Sequence, residues 1–340
     1  MLPPKLPADV DPSDYDIDEW ESLRPFLKSR GYRLITQRDA QAGAIQDGDE
    51  EMCEKWGGPP RDDDPLYHDL HNYAVFPGFQ ISNSQRVVFK IVDANKSPEA
   101  EIYSYLCETP AKTDPRNRVI PVLEIIELSP THSMIVTEEW CLSWNDYNNI
   151  METWDDFADF ATQALEGLAF LHSHCIAHLD ISDGNILVCQ YAEDLPRTRP
   201  AYAFIDFGLS VRFSKSHAGP YTVTRNIATF EPPEMSKTIP YDPFKSDIWQ
   251  MGQVLVHAAR QCKLKLDSLQ ALISRMQHSD PDQRPTAEAA LAVLITCAPE
   301  RSIVDKIFIA EATDTTLFCL SPLLRTIVPM HTIPVRWLKL

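Results

Sequence analysis

Two short segments of the chain carry residue types that could perform chemistry. Residues 178–188 read HLDISDGNILV, in which Asp180 lies two positions after His178 and Asn185 lies five positions after Asp180. Asp206 follows in the segment IDFGLS at 205–210. Both patterns at this spacing would arise by chance in about one of ten thousand unrelated chains of this length. The spacing therefore indicates a site without naming its reaction.

Phosphoryl transfer would explain why these residue types occur together. A nucleoside triphosphate is strongly anionic and is neutralised by Mg²⁺, a hard cation that prefers oxygen ligands. The carboxylate of Asp206 and the amide oxygen of Asn185 are suitable ligands for this ion. Asp180 could orient an attacking hydroxyl and take its proton. Gly208 lets the backbone turn tightly after the metal ligand.

The strands predicted around this site lie mainly in the first half of the chain. β-branched and aromatic residues indicate strands at 70–76 and 85–92 and within the segments VIPVLEIIEL and SMIVTEEW. Shorter strands are expected beside the two candidate segments, ILV at the end of the first and YAFI leading into the second. A β-rich first part is therefore predicted.

The predicted helices lie mainly in the second half. A helix is expected to begin at Ser97 and Pro98, a favourable pair for a helix start. Apolar residues at 3.6-residue spacing between Phe157 and Leu171 predict a long helix. Further helices are expected around 245–260, 267–277 and 286–296. The order predicts an α+β fold of two lobes, with a small β-rich N-lobe and a larger helical C-lobe.

The predicted domain organisation has three parts. Residues 1–64 form an acidic N-terminal extension, 65–296 the two-lobed domain (N-lobe 65–140, C-lobe 141–296), and 297–340 a tail of unknown role. In the extension, residues 1–15 are predicted to be disordered and 39–65 to be a linker. Between them, 18–30 predict a helix with Trp20, Leu23, Phe26 and Leu27 on one face, ended by Gly31.

A set of short motifs in the chain resembles the eukaryotic protein kinase superfamily, whose motifs occur in the same order. They are VVFK, EAEI, HLDISDGN, DFG, EPPE, SDIWQMG and DPDQRP. The resemblance covers about residues 65–296 and implies the fold predicted above, with ATP and Mg²⁺ as cofactors and a protein as substrate. The segment WESLRPFLKSRGYRL further resembles the leader of a divergent kinase-like branch expanded in fungi.

The resemblance implies a role for each motif residue around the triphosphate. Lys90 would hold the α- and β-phosphates of ATP, and Glu99 would orient Lys90, with Glu101 as the rival partner. Asp180 would position the acceptor hydroxyl. Asn185 and Asp206 would bind Mg²⁺.

The resemblance also implies adenine-binding and scaffold residues. The backbone of Glu138 and Trp140 would meet the adenine, with Thr137 at the gatekeeper position. The segment HLDISDGN resembles the catalytic loop of the family. Among the scaffold residues, Asp247 would brace the backbone of this loop and Arg284 would pair with Glu234.

The chain departs from the family pattern at several positions. No G-x-G-x-x-G precedes Lys90, and only Gly78 lies near. Leu179 replaces the arginine that clasps an activation-loop phosphate, and Ser182 replaces a basic residue that acts on the transferring phosphate. Loss of that cation would cost a factor of about 10²–10³. The short interval from Asp247 to Arg284 leaves little room for a helix that docks protein substrates.

Composition excludes several other classes of protein. The net charge is −18, and residues 1–70 hold 17 Asp and Glu against 8 Lys and Arg, so neither a nucleic-acid surface nor a basic membrane patch is expected. No uncharged run reaches about 18 residues, which argues against a membrane span. The N-terminus lacks a signal-peptide pattern, and the eight cysteines are scattered, which favours a reducing cytoplasmic or nuclear location. The acidic run Asp62–Asp64 is expected to be solvated. The oligomeric state stays open.

Three functions are compatible with these observations. The first is an ATP-dependent protein kinase, which the retained lysine, asparagine and aspartates favour. The second is a pseudokinase that binds partners without turnover, which the missing glycine loop and Ser182 favour. The third is a kinase of small alcohols, ranked last because such enzymes do not usually carry the EPPE, SDIWQMG and DPDQRP motifs in this order.

Overall fold

The computed structural model describes residues 1–7, 10–40, 61, 64–67, 72–143, 151, 153–189, 200–217, 219–262 and 269–297. The strands in these ranges are β1 Tyr32–Leu34, β2 Val75–Gln80, β3 Arg86–Asp93, β4 Val122–Glu127, β5 His132–Glu138, β6 Cys141–Ser143, β7 Ile176–Ala177, β8 Ile186–Cys189, β9 Ala201–Phe204, β10 Val211–Arg212, β11 Val223–Arg225 and β12 Ser236–Tyr241. The helices are α1 Ile17–Ser29, α2 Glu99–Leu106, α3 Trp154–Ser173, α4 Pro243–Gln261, α5 Gln270–Met276 and α6 Ala287–Cys297.

The N-lobe is an antiparallel sheet with the order β1-β2-β3-β5-β4. Its central strand, β3, carries Lys90, which lies between Val75 of β2 and Ile135 of β5. The strand alternates in burial, so that Val87, Phe89 and Ile91 enter one core while Lys90 faces the other side. The sheet therefore fixes the direction in which the lysine points.

The C-lobe is built around the long helix α3, whose face from Phe157 to Leu171 is buried as predicted. The side chains of α4, α5 and α6 pack against it in one apolar cluster. The predicted α+β fold with a β-rich N-lobe and a helical C-lobe is confirmed. No helix in the described ranges is both long and apolar enough to cross a membrane.

Helix α1 packs on the outer face of the N-lobe sheet. The predicted apolar face is confirmed, since Trp20, Leu23, Phe26 and Leu27 are all buried. The Trp20 ring lies 4.9 Å from that of Phe76, and its Nε1 donates a hydrogen bond to the carbonyl of Tyr73. Burying a ring of this size contributes more to stability than its polar contact does.

Strand β1 was not predicted from the sequence. It lies in the segment assigned to the N-terminal extension and pairs with β2, so that Leu34 lies opposite Gly78. The sheet therefore includes residues on both sides of the predicted linker. Most of that linker, like residues 298–340 of the predicted tail, lies outside the described residues.

Two expectations for the N-terminal region were wrong. Described residues of the segment 1–15 are ordered against the domain, because Tyr15 is buried and Asp11 pairs with Lys96 at 2.9 Å. Asp64 is not solvated but buried, and it accepts hydrogen bonds from Nε and Nη2 of Arg38 at 2.7 and 3.1 Å. Residues 62 and 63 lie outside the described residues. Arg38 compensates the buried charge of Asp64, whereas Asp11 and Lys96 form their ion pair at the surface.

The predicted strand at 70–76 was misplaced. Residues 70 and 71 lie outside the described residues, and Asn72 begins a turn in which its side chain accepts from the N–H of Ala74. The strand starts at Val75 and continues through Pro77 and Gly78. Aromatic and β-branched composition indicated a strand here, but the asparagine turn decided where it begins.

Gly78 has a structural role in this sheet. A Cβ atom built there would lie 2.7 Å from the Phe89 ring and closer still to the carbonyl oxygen of Arg33 in β1. We expect Gly78→Ala to lower the free energy of unfolding by about 1–3 kcal/mol, because β1 or Phe89 must move. Urea unfolding measures the change. Gly184→Ala is the control, since no atom lies within 4 Å of its added Cβ; equal losses in both variants would contradict the prediction.

Candidate active site

Lys90 lies at the centre of a network between the two lobes. Its Nζ is 2.7 Å from Oε2 and 3.0 Å from Oε1 of Glu99 on α2. The same Nζ is 2.9 Å from Oδ1 of Asp206, which follows β9 in the C-lobe. Glu99 and Asp206, which come from different parts of the sequence, therefore both contact Lys90.

The charges in this network support one another. Burial alone would lower the pKa of Lys90, but the carboxylates of Glu99 and Asp206 outweigh it and hold that pKa above its ordinary value. Burial alone would raise the pKa of Asp206, but Lys90 and the N–H of Gly208 hold it below its ordinary value. The lysine is therefore positive and the aspartate negative at neutral pH.

The alternative between Glu99 and Glu101 is decided by the geometry of α2. Glu99 is 1% exposed and faces Lys90. Glu101 points to the opposite side, with a side chain that is 75% exposed and 3.6 Å from Arg212. Residues two apart on a helix face different directions, so only one of them can reach the lysine.

Asn185 and Asp180 form the second part of the site. The Asn185 amide nitrogen donates to the backbone carbonyl of Asp180 at 2.8 Å and to its Oδ2 at 3.1 Å. The Asn185 carbonyl accepts from the N–H of Ile205, the residue before Asp206. The β8–β9 pair thus brings Asn185 beside Asp206, and the Asn185 amide nitrogen is engaged by Asp180.

The remaining oxygen of Asp180 has a partner that sequence reasoning did not anticipate. Oδ1 accepts a hydrogen bond of 2.7 Å from the backbone N–H of Thr229. Thr229 lies in the segment TRNIATFEPPE, which ends at Glu234. The candidate base is therefore oriented from two sides, by the catalytic loop and by this segment.

Helix α4 holds the backbone of the catalytic loop from below. Asp247 is fully buried and accepts hydrogen bonds from the N–H groups of His178 and Leu179 at 2.8 and 2.7 Å, as the resemblance implied. Gln250, one turn later, accepts from the N–H of Ile181 and donates to the carbonyl of Leu179. Gln250 was not predicted from the sequence, although a buried amide on an apolar helix face is a usable signal.

Phe207 connects the two lobes behind the site. Its ring lies 5.1 Å from that of Tyr103 on α2 and 5.0 Å from that of His178 in the catalytic loop. The Asp206 backbone has φ 62° and ψ 73°, a left-handed conformation that an aspartate tolerates better than most residues. Packing of Phe207 on both sides holds this conformation in place.

A cleft opens in front of this network. All the residues predicted to bind the cofactor line it: Lys90, Glu99, Thr137, Glu138 and Trp140. Asn72, Tyr103 and Ile120, which were not predicted, line it too. The Trp140 indole donates to the Glu138 carboxylate at 3.1 Å, so the two residues predicted to meet the adenine support each other.

The departures from the family pattern have structural counterparts. Leu179, in place of the arginine, is buried in an apolar cluster with Ala177 and Tyr241. Ser182, in place of the basic residue, is 3% exposed. Neither position offers a cation to a phosphoryl group.

The donor set fits Mg²⁺. Among the described residues, no three His, Cys, Asp or Glu side chains converge to hold a metal ion. Mg²⁺ usually takes one or two protein oxygens and completes its shell with substrate phosphates and water. Asp206 and Asn185 would supply those two oxygens.

Comparison with known proteins gives a consistent family assignment. The family model described as "Protein kinase domain" matches residues 73–268. The chain is 26% identical over 203 residues to "Misshapen-like kinase 1" of Rattus norvegicus, covering 54% of this chain and 14% of that protein. It is 25% identical over 289 residues to "Serine/threonine-protein kinase dst1" of Dictyostelium discoideum, covering 71% and 36%.

A third relative is the "Probable casein kinase II subunit alpha homolog" of Encephalitozoon cuniculi. The identity is 25% over 174 residues, which cover 51% of this chain and 42% of the relative. The chain thus spans less than half the length of each of these three relatives.

Proposed function

The chain belongs to the protein kinase domain family, and from that premise we propose that it transfers the γ-phosphoryl group of ATP to a protein hydroxyl, with Mg²⁺ as cofactor. The observation that carries the proposal is the position of Lys90, within 3.0 Å of both Glu99 and Asp206 at the back of the cleft. Transfer of this kind requires positioning and charge stabilisation more than covalent chemistry from the protein.

Each residue has a defined part in this proposal. Lys90, oriented by Glu99, binds the α- and β-phosphates, and Thr137, Glu138 and Trp140 form the adenine end of the cleft. Asp206 and Asn185 hold Mg²⁺, which when bound neutralises the phosphate charge.

Asp180 acts on the acceptor hydroxyl. Its carboxylate orients that hydroxyl and takes its proton. As the substrate binds, the carboxylate releases the N–H of Thr229 and contacts the substrate in its place.

The narrower resemblance to a fungal branch stays a prediction, as do the domain boundaries and a cytoplasmic or nuclear location.

A pseudokinase is the second candidate. The specific observations in its favour are the N–H of Thr229 on Asp180, and the absence of a cation at Leu179 and Ser182. Such a protein would use the same fold to bind partners.

A single-turnover experiment tests the proposal. Excess full-length chain is mixed with γ-labelled ATP, Mg²⁺ and a panel of acceptor proteins, and in parallel with choline and an aminoglycoside. Label on protein hydroxyls that depends on Mg²⁺ is the expected result. Label on the small alcohols alone would assign the third function considered above, and no transfer to any acceptor would contradict the proposal.

If no transfer is observed, thermal denaturation with Mg²⁺ and ATP distinguishes a protein that binds nucleotide from one that does not. A ligand at 100 times its dissociation constant stabilises the folded state by about 2.7 kcal/mol. Stabilisation without transfer indicates a nucleotide-binding pseudokinase. No stabilisation at millimolar ATP indicates a scaffold that does not bind nucleotide.

A further inference from the structure

A second groove lies on the far side of α2 from the nucleotide cleft. Among the described residues, the two have no lining residue in common. Glu101 and Tyr105 of α2 form one wall, and His174, which caps the end of α3, forms another. Arg212 at the end of β10 and Lys215 just beyond it complete the lining on the third side.

The groove is cationic although the whole chain carries a net charge of −18. Arg212 and Lys215 both line it, and the acidic lining residue is Glu101. That carboxylate is 3.6 Å from Arg212 on a side chain that is 75% exposed, so water screens the pair and it contributes little.

Arg212 is held in a fixed orientation. Its guanidinium carbon lies 3.6 Å above the centre of the Tyr105 ring, a cation–π contact that leaves the edge of the guanidinium plane available for hydrogen bonds. The Tyr105 hydroxyl is in turn 2.7 Å from Nδ1 of His174. A planar donor fork is therefore already oriented beside an imidazole.

The pKa of His174 is held below its ordinary value. Burial is the largest cause that lowers its pKa, and Lys215, Arg116 and Arg212 lower it further. Asp114 alone acts in the opposite direction, and it is engaged with Arg116 through hydrogen bonds of 2.8 and 3.1 Å. On α2, Glu101 is the charged group that faces the groove.

We propose that this groove binds a phosphate monoester dianion, held by Arg212, Lys215 and the imidazole of His174. An arginine fork matches phosphate oxygens, and a lysine adds a mobile charge. The groove is formed by the helix that carries Glu99 and by the segment that follows Asp206, so a bound dianion would tie these two elements together. The site is independent of the proposed transfer reaction.

The dianion could come from the chain itself or from another molecule. Ser214 lines the groove, and its hydroxyl lies 2.7 Å from that of Ser216. A phosphoryl group on Ser214 would therefore be attached at the wall of the groove. A phosphorylated ligand of separate origin would present the same chemistry to the same residues.

The test is an NMR pH titration of His174 in the full chain without nucleotide, with O-phospho-L-serine or inorganic phosphate as the probe. Binding is expected to raise the pKa of His174, because a nearby dianion stabilises the imidazolium. Arg212→Gln and Lys215→Gln should each weaken binding at least about 10-fold. Lys237→Gln, at an exposed lysine on β12, is the matched control.

Two results would overturn the proposal. One is an unchanged His174 titration at millimolar concentrations of both probes. The other is an equal affinity in Arg212→Gln and Lys237→Gln. Because no nucleotide or metal is present, failure here leaves the proposed transfer reaction untested, and failure of transfer leaves this site untouched.

A second arm identifies the source of the dianion. Phosphoserine is installed at position 214 during translation, and the titration is repeated with and without added phosphate. A raised His174 pKa that added phosphate no longer changes would assign the dianion to Ser214. A pKa that still responds to added phosphate would assign it to a separate phosphorylated ligand. Both results support the groove and differ only in the source.

Discussion

Asp206→Asn is expected to abolish the Mg²⁺-dependent part of ATP binding and to slow phosphoryl transfer by at least about 10²–10³-fold, the effect of losing one preorganised transition-state group. The substitution removes the carboxylate charge and keeps the size of the side chain. Asp206 also anchors Lys90 at 2.9 Å, so the variant loses an ion-pair partner as well as the proposed metal ligand.

The fold should survive this change. The hydrogen bond from the N–H of Gly208 to Oδ1 of residue 206 can be kept by the asparagine oxygen. Asparagine also tolerates the left-handed backbone at this position. A loss of activity can therefore be attributed to charge and coordination instead of unfolding.

The measurement is single-turnover transfer as a function of Mg²⁺ concentration, with thermal denaturation in parallel. Glu108→Gln, at an exposed residue that follows α2, controls for the removal of one negative charge. If Asp206→Asn transferred label at the wild-type rate, the assigned metal site would be wrong. If the wild type itself bound ATP equally well with and without Mg²⁺, the metal would have no part in binding.

The central residues of the site could be predicted because they lie in short segments with strong local constraints. Lys90 lies on an eight-residue strand whose burial alternates, so its direction follows from the pattern. Asn185 and Asp206 flank the antiparallel pair β8 and β9, which brings distant positions together. Glu99 was harder to choose over Glu101, because the sequence does not fix which face of a short helix turns inward.

Other features could not be read from the sequence because they depend on contacts between distant segments. A three-residue strand such as β1 shows no periodicity, and its pairing with β2 crosses a connection of about forty residues. The Arg38–Asp64 and Lys96–Asp11 pairs join segments that are far apart in the chain. Local composition predicted linker and disorder there, and tertiary contacts overrode it.

The groove behind α2 also could not be predicted from the sequence, because it depends on contacts between distant segments. Tyr105, His174 and Arg212 come from three different elements, and none belongs to a recognisable motif. Only the fold places the guanidinium over the phenol ring and the imidazole beside it. The replacement of a motif arginine by Leu179 removed the expected phosphate contact, whereas the cations of this groove lie at positions that the motif does not cover.

The second large effect is expected from Glu234→Ala, which should lower the free energy of unfolding by about 3–5 kcal/mol. The Glu234 carboxylate accepts two parallel hydrogen bonds from Arg284, at 2.6 and 2.8 Å, and a third from the Ser246 hydroxyl. Arg284 is 2% exposed. Removing the glutamate leaves a guanidinium charge buried without its counter-ion.

The control for this prediction is an exposed pair with similar geometry. Arg86 and Glu139 also form two hydrogen bonds of 2.7 Å, but the arginine side chain is 51% exposed. Glu139→Ala should therefore cost only about 0–1 kcal/mol. Urea unfolding of both variants gives the comparison, and equal losses would contradict the assignment of the cost to burial.

The double variant Glu234→Leu with Arg284→Met distinguishes two contributions to the free energy of unfolding. One is the stabilisation by the intact ion pair, and the other is the destabilisation when one partner is removed and the other charge stays buried. Removing both charges leaves no uncompensated ion, so the double variant should be more stable than Glu234→Ala. Arg284 also donates to the carbonyls of His278 and Lys245, and those acceptors lose a partner in the double variant. Its stability should therefore lie between that of Glu234→Ala and that of the wild type.

The pH dependence of the loss should follow the ionisation of Glu234. Burial raises its pKa, but Arg284 and Ser246 outweigh burial and hold the pKa below its ordinary value. The stabilisation is then complete above the unfolded-state pKa of about 4.3 and is lost as the pH falls through the lower folded-state value. The difference between wild type and Glu234→Ala, followed by urea unfolding, should thus be constant near neutral pH and shrink below about pH 4. A difference that grew on acidification would mean that the carboxylate is not the stabilising group.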